Sequence, residues 1–548
     1  MKKFKKVLAA VLAMTMVLGM SVTSMAAPDE KIGNSDDTGT ITVNGINSDE
    51  ATPEVTAYQI IKANYDANGA FIGYVPVYPD VTPSINLAGT ATDSNAIGSV
   101  VTISEEELSA LANHIAKEGP ADKTTHEMTV EKSTGKATAT VGIGSYLVMI
   151  KGSDTNMYSP VVVSLYYVNA GGAGNGVDGG NLTIANTDAW VKVTNTPQVH
   201  KEIVASPSDA TSSTPIKHNS VNIGDDVNFK LPVGPIPNYT GTKPVFKIVD
   251  TLSAGLTYNN DLKVYKADNT ELAESYYKLT VNGQVITVDF ADGYNYTLNE
   301  FANQSLEIRY SAKLNESAGI NQEGNDNTVV LNYTKDSTID GEDATSSDVT
   351  HTYTFDLDGA VEGSVTTNIL RKTGVEVATN SSPLKDAEFT LYKDEATTVK
   401  YTNTTNTTGI ITSDENGQLK IRGLAAGTYY LKETKAPAGY SLNTTVFTIE
   451  ITATYKDDNT LDTWSIKVND KTVNDGKGTI NTFQVNNGTA TVTNAEGKVD
   501  SVEIPNTKLS SLPSTGGIGT TIFTLGGCAI MIIAAGLYFA SRRKKTEK

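Results

Sequence analysis

Asn282-Gly-Gln-Val-Ile-Thr-Val-Asp-Phe290 sets an Asn-Gly pair directly before a run that alternates between apolar and polar residues. Asn-Gly accepts the left-handed backbone of a tight hairpin turn. A two-residue period puts one face of a strand against a core. The alternation recurs in Val245-Phe-Lys-Ile-Val249 and Phe447-Thr-Ile-Glu-Ile-Thr452, and more turn pairs stand at Asp292-Gly293 and Asn416-Gly417. With 25 Tyr and abundant Thr and Val, the chain reads as mainly β, in sandwich domains. One helix is expected. Ser104-Glu-Glu-Glu107 forms a capping box, and Leu108, Leu111, Ala112 and Ile115 follow at helical spacing.

Both ends read as addresses. Lys2, Lys3, Lys5 and Lys6 precede an apolar segment, Val7 to Met20, and Ser24 and Ala26 follow in a small-x-small arrangement. This is the pattern of a secretory signal peptide over 1–26, cut after Ala26 or, second, after Ala27. At the other end, Leu512-Pro513-Ser514-Thr515-Gly516 is followed by 23 uncharged residues from Ile518 to Ala540, then by Arg542, Arg543, Lys544 and Lys545. At about 1.5 Å per residue such a helix crosses a hydrocarbon core of roughly 30 Å, and the basic cluster keeps its end cytoplasmic. The three-part order over 509–548 resembles the cell-wall sorting signal of Gram-positive surface proteins, whose motif is Leu-Pro-x-Thr-Gly. The resemblance implies that a sortase cuts after Thr515 and transfers its carbonyl to an amine, so that the membrane matters only to the precursor and the product is joined to peptidoglycan.

Removing both ends takes away four leader lysines and a further net four positive charges, turning −19 into about −27. Such an acidic exterior argues against nucleic-acid binding. The one cysteine, Cys528, lies in the apolar segment, so no disulfide is available to the exported part. Either the domains are large enough to stand alone or another covalent device replaces the disulfide. Length suggests three domains, at 27–197, 198–361 and 362–508.

Gly427-Thr-Tyr-Tyr-Leu-Lys-Glu433-Thr-Lys-Ala-Pro-Ala-Gly-Tyr440 resembles the E-box of sortase-assembled pilins and related wall adhesins, with every fixed position matched. Pro383-Leu-Lys-Asp-Ala-Glu-Phe-Thr-Leu-Tyr392 resembles the opening strands of the same CNA-B-type, immunoglobulin-like module, and Asp414-Glu-Asn-Gly-Gln-Leu419 its central turn. The resemblance implies three tandem immunoglobulin-like domains and a spontaneous amide bond in the third, from Lys372 to Asn506, with Glu433 as the promoting acid. Asn487 and Asn494 are nearby alternatives to Asn506. The chemistry suits those residue types. Burial favours the neutral forms of amines and carboxyls, so a core lysine becomes a nucleophile and a core acid can carry protons. No cofactor or metal is needed.

The middle domain resembles that of the same pilins through Gly224-Asp-Asp-Val-Asn-Phe-Lys-Leu-Pro232, Val249-Asp250-Thr-Leu-Ser-Ala-Gly-Leu-Thr-Tyr258 and Gly324-Asn-Asp-Asn327-Thr-Val-Val-Leu-Asn-Tyr333. This implies a second bond, Lys201 to Asn327, with Asp250 as the acid. Asn325 and Asn332 are alternatives to Asn327, and Asp250 also reads as a turn residue bonding its own backbone.

Pilins of this kind receive the next subunit on a lysine near the end of the first domain, in Trp-x-x-x-Val-x-Val-Tyr-Pro-Lys. Here the region reads Trp190-Val-Lys-Val-Thr-Asn-Thr-Pro-Gln-Val-His-Lys201, without the Tyr-Pro-Lys. Lys192 is the first candidate and Lys201 the second. The chain therefore reads as a backbone pilin that partners sortase, neighbouring pilin subunits and peptidoglycan, with a role in adhesion and no marked ligand site. The alternative is a monomeric wall-anchored adhesin of the same build. An enzyme is not expected. His114, His126, His200, His218 and His351 are scattered without metal-ligand spacing, and neither Gly-x-Ser-x-Gly nor His-Glu-x-x-His occurs.

Overall fold

The computed structural model describes residues 33–47, 53–85, 103–120, 125–151, 155–169, 182–206, 215–239, 244–290, 301–336, 343–357, 370–377, 380–403, 406–474, 482–486, 489–493, 502–509 and 518–543. The leader, its cleavage site and Leu512–Gly516 lie outside them. The chain divides into two compact units, Met1–Gly319 with Glu323–Tyr353, and Ile320–Gln322 with Thr354–Lys548. The fold is mainly β, as the alternation requires.

In the first unit, Thr38–Asn44 runs parallel to Asp188–Trp190 and antiparallel to Lys136–Gly142. A second sheet is centred on Val55–Tyr65, Gly144–Ile150 and Val161–Asn169. Ile41, Val43, Ala137 and Val141 of the first sheet share one core with Ala57, Ile60, Leu147 and Val163 of the second. The helix is Glu105–Glu118, with Ser104 as its cap and the reciprocal bond from Glu107 in place. Leu111, Ala112 and Ile115 are buried in the same core.

Residues 198–353 form two further sheets. One is built on Asp226–Gly234 paired with Leu306–Leu314, with Gln198–Val199 and Glu202–Val204 along the edge of Asp226–Gly234. The other pairs Phe246–Leu252 with Asn325–Thr334, which pairs in turn with Asp343–Tyr353. In Asn325–Thr334 the buried positions are 325, 327, 329, 331 and 333, then Thr334 at the strand end. The two-residue period thus decides which asparagines face the core.

The second unit holds a three-stranded sheet with Leu370–Val377 at its centre, between Asn380–Pro383 and Val502–Thr507. Pairing with Val502–Thr507 is parallel and places Lys372 opposite Ile504 and Gly374 opposite Asn506. A six-stranded sheet contains Glu388–Tyr392, Gly427–Lys435 and Val446–Tyr455. Asp414–Gln418 makes the expected turn. Gly417, at φ 74°, donates to the Asp414 carbonyl and accepts from the Lys372 N–H. A Cβ there would lie 2.3 Å from the Lys372 carbonyl oxygen, so only glycine lets the turn close on that strand. The last helix, Ile518–Arg543, contains a stretch of mean hydropathy 2.1 over Ile522–Arg542.

Ser104→Ala removes the side-chain acceptor for the Glu107 N–H. It is expected to cost about 1 kcal/mol of stability in urea unfolding, and an unchanged midpoint would deny the cap its role.

Candidate functional site

Two buried clusters stand in separate sheet pairs. Lys201 sits between Gln198–Val199 and Glu202–Val204, with its side chain 0% exposed. Its Nζ donates to Asp250 Oδ2 at 2.5 Å and to the Tyr310 hydroxyl at 2.9 Å. It also lies 4.9 Å from the Phe229 ring centre and 5.2 Å from that of Tyr310. Tyr310 donates to Asp250 Oδ2 at 2.7 Å and accepts from Asn327 Nδ2 at 2.6 Å. Lys201, Asp250 and Asn327 therefore meet around one hydroxyl. Asp250 Oδ1 and Asn327 Oδ1 are buried without a hydrogen-bond partner among the described residues.

The backbone explains this convergence. Asp250 lies mid-strand in Phe246–Leu252, opposite Val329, and not in a turn. Asn327 is two residues away on the inward face of the adjacent strand. Asn325 also faces inward, but its amide is taken up by the Gly319 N–H and carbonyl and by the Thr352 carbonyl. Asn332 falls on the other face and is half-buried. The Lys201 backbone is clamped as well. Its N–H donates to Asp348 Oδ2 and its carbonyl accepts from Lys217 Nζ, which also pairs with Asp348. Lys201, the second candidate for the inter-subunit acceptor, is thus enclosed, its side chain 0% exposed.

In the second cluster, Lys372 and Glu433 side chains are both 0% exposed, with Nζ 3.6 Å from Glu433 Oε1. That same oxygen accepts from Asn506 Nδ2 at 2.9 Å. Lys372 Nζ also donates to the Ile504 carbonyl at 2.7 Å, and Glu433 Oε2 accepts from the Asn443 N–H at 2.7 Å. Tyr429, Leu431 and Glu433 share the inward face of Gly427–Lys435. Val502, Ile504 and Asn506 share that of Val502–Thr507. Asn506 Oδ1 is buried and has no hydrogen-bond partner among the described residues. Asn487 and Asn494 lie outside the described residues.

Burial pushes both lysines below the ordinary amine range, against the opposing pull of Asp250 on Lys201 and of Glu433 on Lys372. Lys372 comes down to about 8. Roughly a tenth of that amine is then unprotonated at neutral pH, against roughly one in three thousand for a free lysine.

Lys192 follows the strand Asp188–Trp190 and is exposed, and Trp190 beside it is 67% exposed. Tyr310 was not singled out by sequence. It sits in an ordinary alternating strand, and only the pairing of Tyr310 with Phe229 brings it to Lys201. Among the described residues no group of three or more His, Cys, Asp or Glu is placed to hold a metal ion.

Asn506→Ala keeps Lys372 as a free amine. Its folded-state pKa, about 8, lies below the unfolded 10.5, so between those values the unfolded chain binds more protons. Stability should therefore rise from about pH 8 to about pH 10.5 in this variant and lose that rise in Asn506→Ala/Lys372→Met. Equal pH profiles from chemical unfolding would contradict the buried amine.

A family model for the SpaA prealbumin-like fold domain matches residues 370–463, and one for the LPXTG cell wall anchor motif matches residues 504–548. The trypsin-resistant surface T6 protein of Streptococcus pyogenes serotype M6 is 27% identical, in an alignment covering 98% of this chain and 99% of that protein. The structure of the T6 backbone pilin of that serotype aligns at TM-score 0.53 and 21% identity, over 87% of this chain and 99% of the other, a likeness of fold. The full-length major pilin SpaD of Corynebacterium diphtheriae aligns at TM-score 0.48 and 18% identity, over 88% and 100% of the two chains. With a wall-anchor motif matched at 504–548, a SpaA-type domain matched at 370–463 and a streptococcal surface protein aligned over 98% of the chain, the chain is similar to LPXTG-anchored pilins.

Proposed function

We propose that a pilin-class sortase joins Thr515 of one subunit to Lys192 of the next, and that each subunit is stiffened by two internal amide bonds, Lys201–Asn327 and Lys372–Asn506. The observation that carries the internal bonds is their repetition. Two separate cores each hold a lysine paired with a carboxyl and an asparagine linked to that carboxyl directly or through Tyr310, with the amide oxygen unpartnered among the described residues. Leaving a buried polar atom unpaired costs about 1–3 kcal/mol. An arrangement that does so twice suits a reaction better than a resting structure.

In the second cluster the sequence of events follows from the contacts. The Lys372 Nζ lone pair attacks Asn506 Cγ. Glu433 Oε1, placed between the two nitrogens, takes the proton that Nζ must lose and returns one to Nδ2. The Cγ–Nδ2 bond breaks, ammonia leaves and a secondary amide remains. The reaction runs once per molecule and regenerates the carboxyl. The bonds close loops of more than a hundred residues, and by chain entropy each contributes on the order of 5 kcal/mol. They supply what the absence of cysteine outside the anchor withholds. They also underlie a division into domains at 27–197, 198–361 and 362–508.

The polymer reading rests on the exposure of Lys192 and on the sorting motif. The variant motif around Lys192 leaves a monomeric anchored adhesin as the competing reading.

The intact mass of the chain without leader and anchor should fall about 34 Da below the sequence mass, about 17 Da for each ammonia lost. Glu433→Ala should restore one loss, and a mass equal to the sequence sum would refute both bonds. Coexpression with a pilin-class sortase should give a detergent-resistant ladder that Lys192→Arg collapses to monomer. A ladder unchanged by that substitution places the acceptor elsewhere, and a single band from the unsubstituted chain supports the adhesin.

A further inference from the structure

The two clusters differ in the atom that joins the nitrogens. In the second, Glu433 Oε1 lies 3.6 Å from Lys372 Nζ and 2.9 Å from Asn506 Nδ2, so the carboxyl itself spans the attacking and leaving groups. In the first, Asp250 contacts Lys201 Nζ at 2.5 Å, and it reaches Asn327 through Tyr310. The Tyr310 oxygen lies 2.9 Å from Lys201 Nζ and 2.6 Å from Asn327 Nδ2. It holds the place that Glu433 Oε1 holds in the other cluster.

Resting on the Lys201–Asn327 bond proposed above, we propose that Tyr310 is a catalytic residue of that bond's formation, acting as the proton bridge between the attacking amine and the departing amide nitrogen. The balance is as follows. Nζ bonds to Asn327 Cγ, and the nitrogen so formed carries a surplus proton. Tyr310 Oη accepts that proton while its own passes to Nδ2, which becomes an amine with a free lone pair once Cγ is tetrahedral. The Cγ–Nδ2 bond then breaks and ammonia departs. Tyr310 ends as it began. Asp250 receives the proton that an initial ammonium must shed and fixes the hydroxyl until the amine attacks.

A hydroxyl has one proton to donate and two lone pairs, and all are engaged here, with Asp250, Lys201 and Asn327. A buried tyrosine held only for packing needs one partner. Burial, with Asp250 adding to it, pushes the phenol well above its ordinary value. The group therefore works by simultaneous exchange and not as a phenolate. The rings of Phe229 and Tyr258 pack on Tyr310, with centres 5.2 and 5.8 Å away, and hold its hydroxyl in the gap.

The test is a time course of the full-length chain made by cell-free synthesis in detergent, with each crosslinked peptide quantified by mass spectrometry. Tyr310→Phe should slow formation of the Lys201–Asn327 peptide at least tenfold while the Lys372–Asn506 peptide forms at the rate of the unsubstituted chain. Equal rates for the Lys201–Asn327 peptide in both chains would overturn the bridge. Absence of that peptide from the unsubstituted chain would instead sink the bond on which the inference rests. A second variant guards against misfolding. Fluorotyrosine at 310 keeps the ring and hydroxyl but makes the proton more acidic. The bridge predicts a changed rate at the first site alone, and an unchanged rate there overturns it.

Discussion

A lysine amine sealed in an apolar core against a carboxyl and a primary amide is the constraint on which this molecule depends. Each of the two clusters is costly as a set of charges and cheap as a set of neutral groups. Burial lowers the pKa of the amine, and in the proposed reaction proximity supplies the electrophile while the carboxyl or its relay moves the protons. The strands cannot shift by one residue without turning Asn327 or Asn506 to the outside, so the chemistry and the register are fixed together.

The same constraint organises the strands. In the second unit the lysine and asparagine lie on neighbouring parallel strands near the start and end of the described sheet residues, and the acid comes from the facing sheet. In the first unit the lysine belongs to an edge segment of one sheet, and the acid and amide belong to the other. A bond in either place ties two distant parts of the sequence across a core. In the proposed pilus role, this matters more than equilibrium stability. With the proposed bonds in place, load entering at the lysine leaves at the asparagine without passing through the strands between.

Much of this was legible in the sequence because it rests on period two and on one long motif. The run Gln284–Phe290, the capping box at Ser104 and the E-box around Glu433 each carry local signals strong enough to place their residues. The inward face of Asn325–Thr334 could not be chosen in advance, because asparagines at 325, 327 and 332 straddle both faces. The strand pairing separates them, and the side-chain hydrogen bonds of Asn325 to Gly319 and Thr352 remove it from competition. Asp250 also read as a turn residue, since Asp suits both roles, and its pairing with Val329 and Ile286 shows it mid-strand. Tyr310 carried no local signal at all. Its importance arises from three partners that are distant in sequence, and no periodicity or spacing reports such a meeting.

The most direct measurement is single-molecule extension of the chain held at its two ends. The central claim predicts that the residues enclosed by the bonds, about 125 between Lys201 and Asn327 and about 130 between Lys372 and Asn506, never add to the contour length at any force short of covalent rupture. Unfolding steps that release either segment, on the order of 450 Å each at about 3.5 Å per residue, would contradict it.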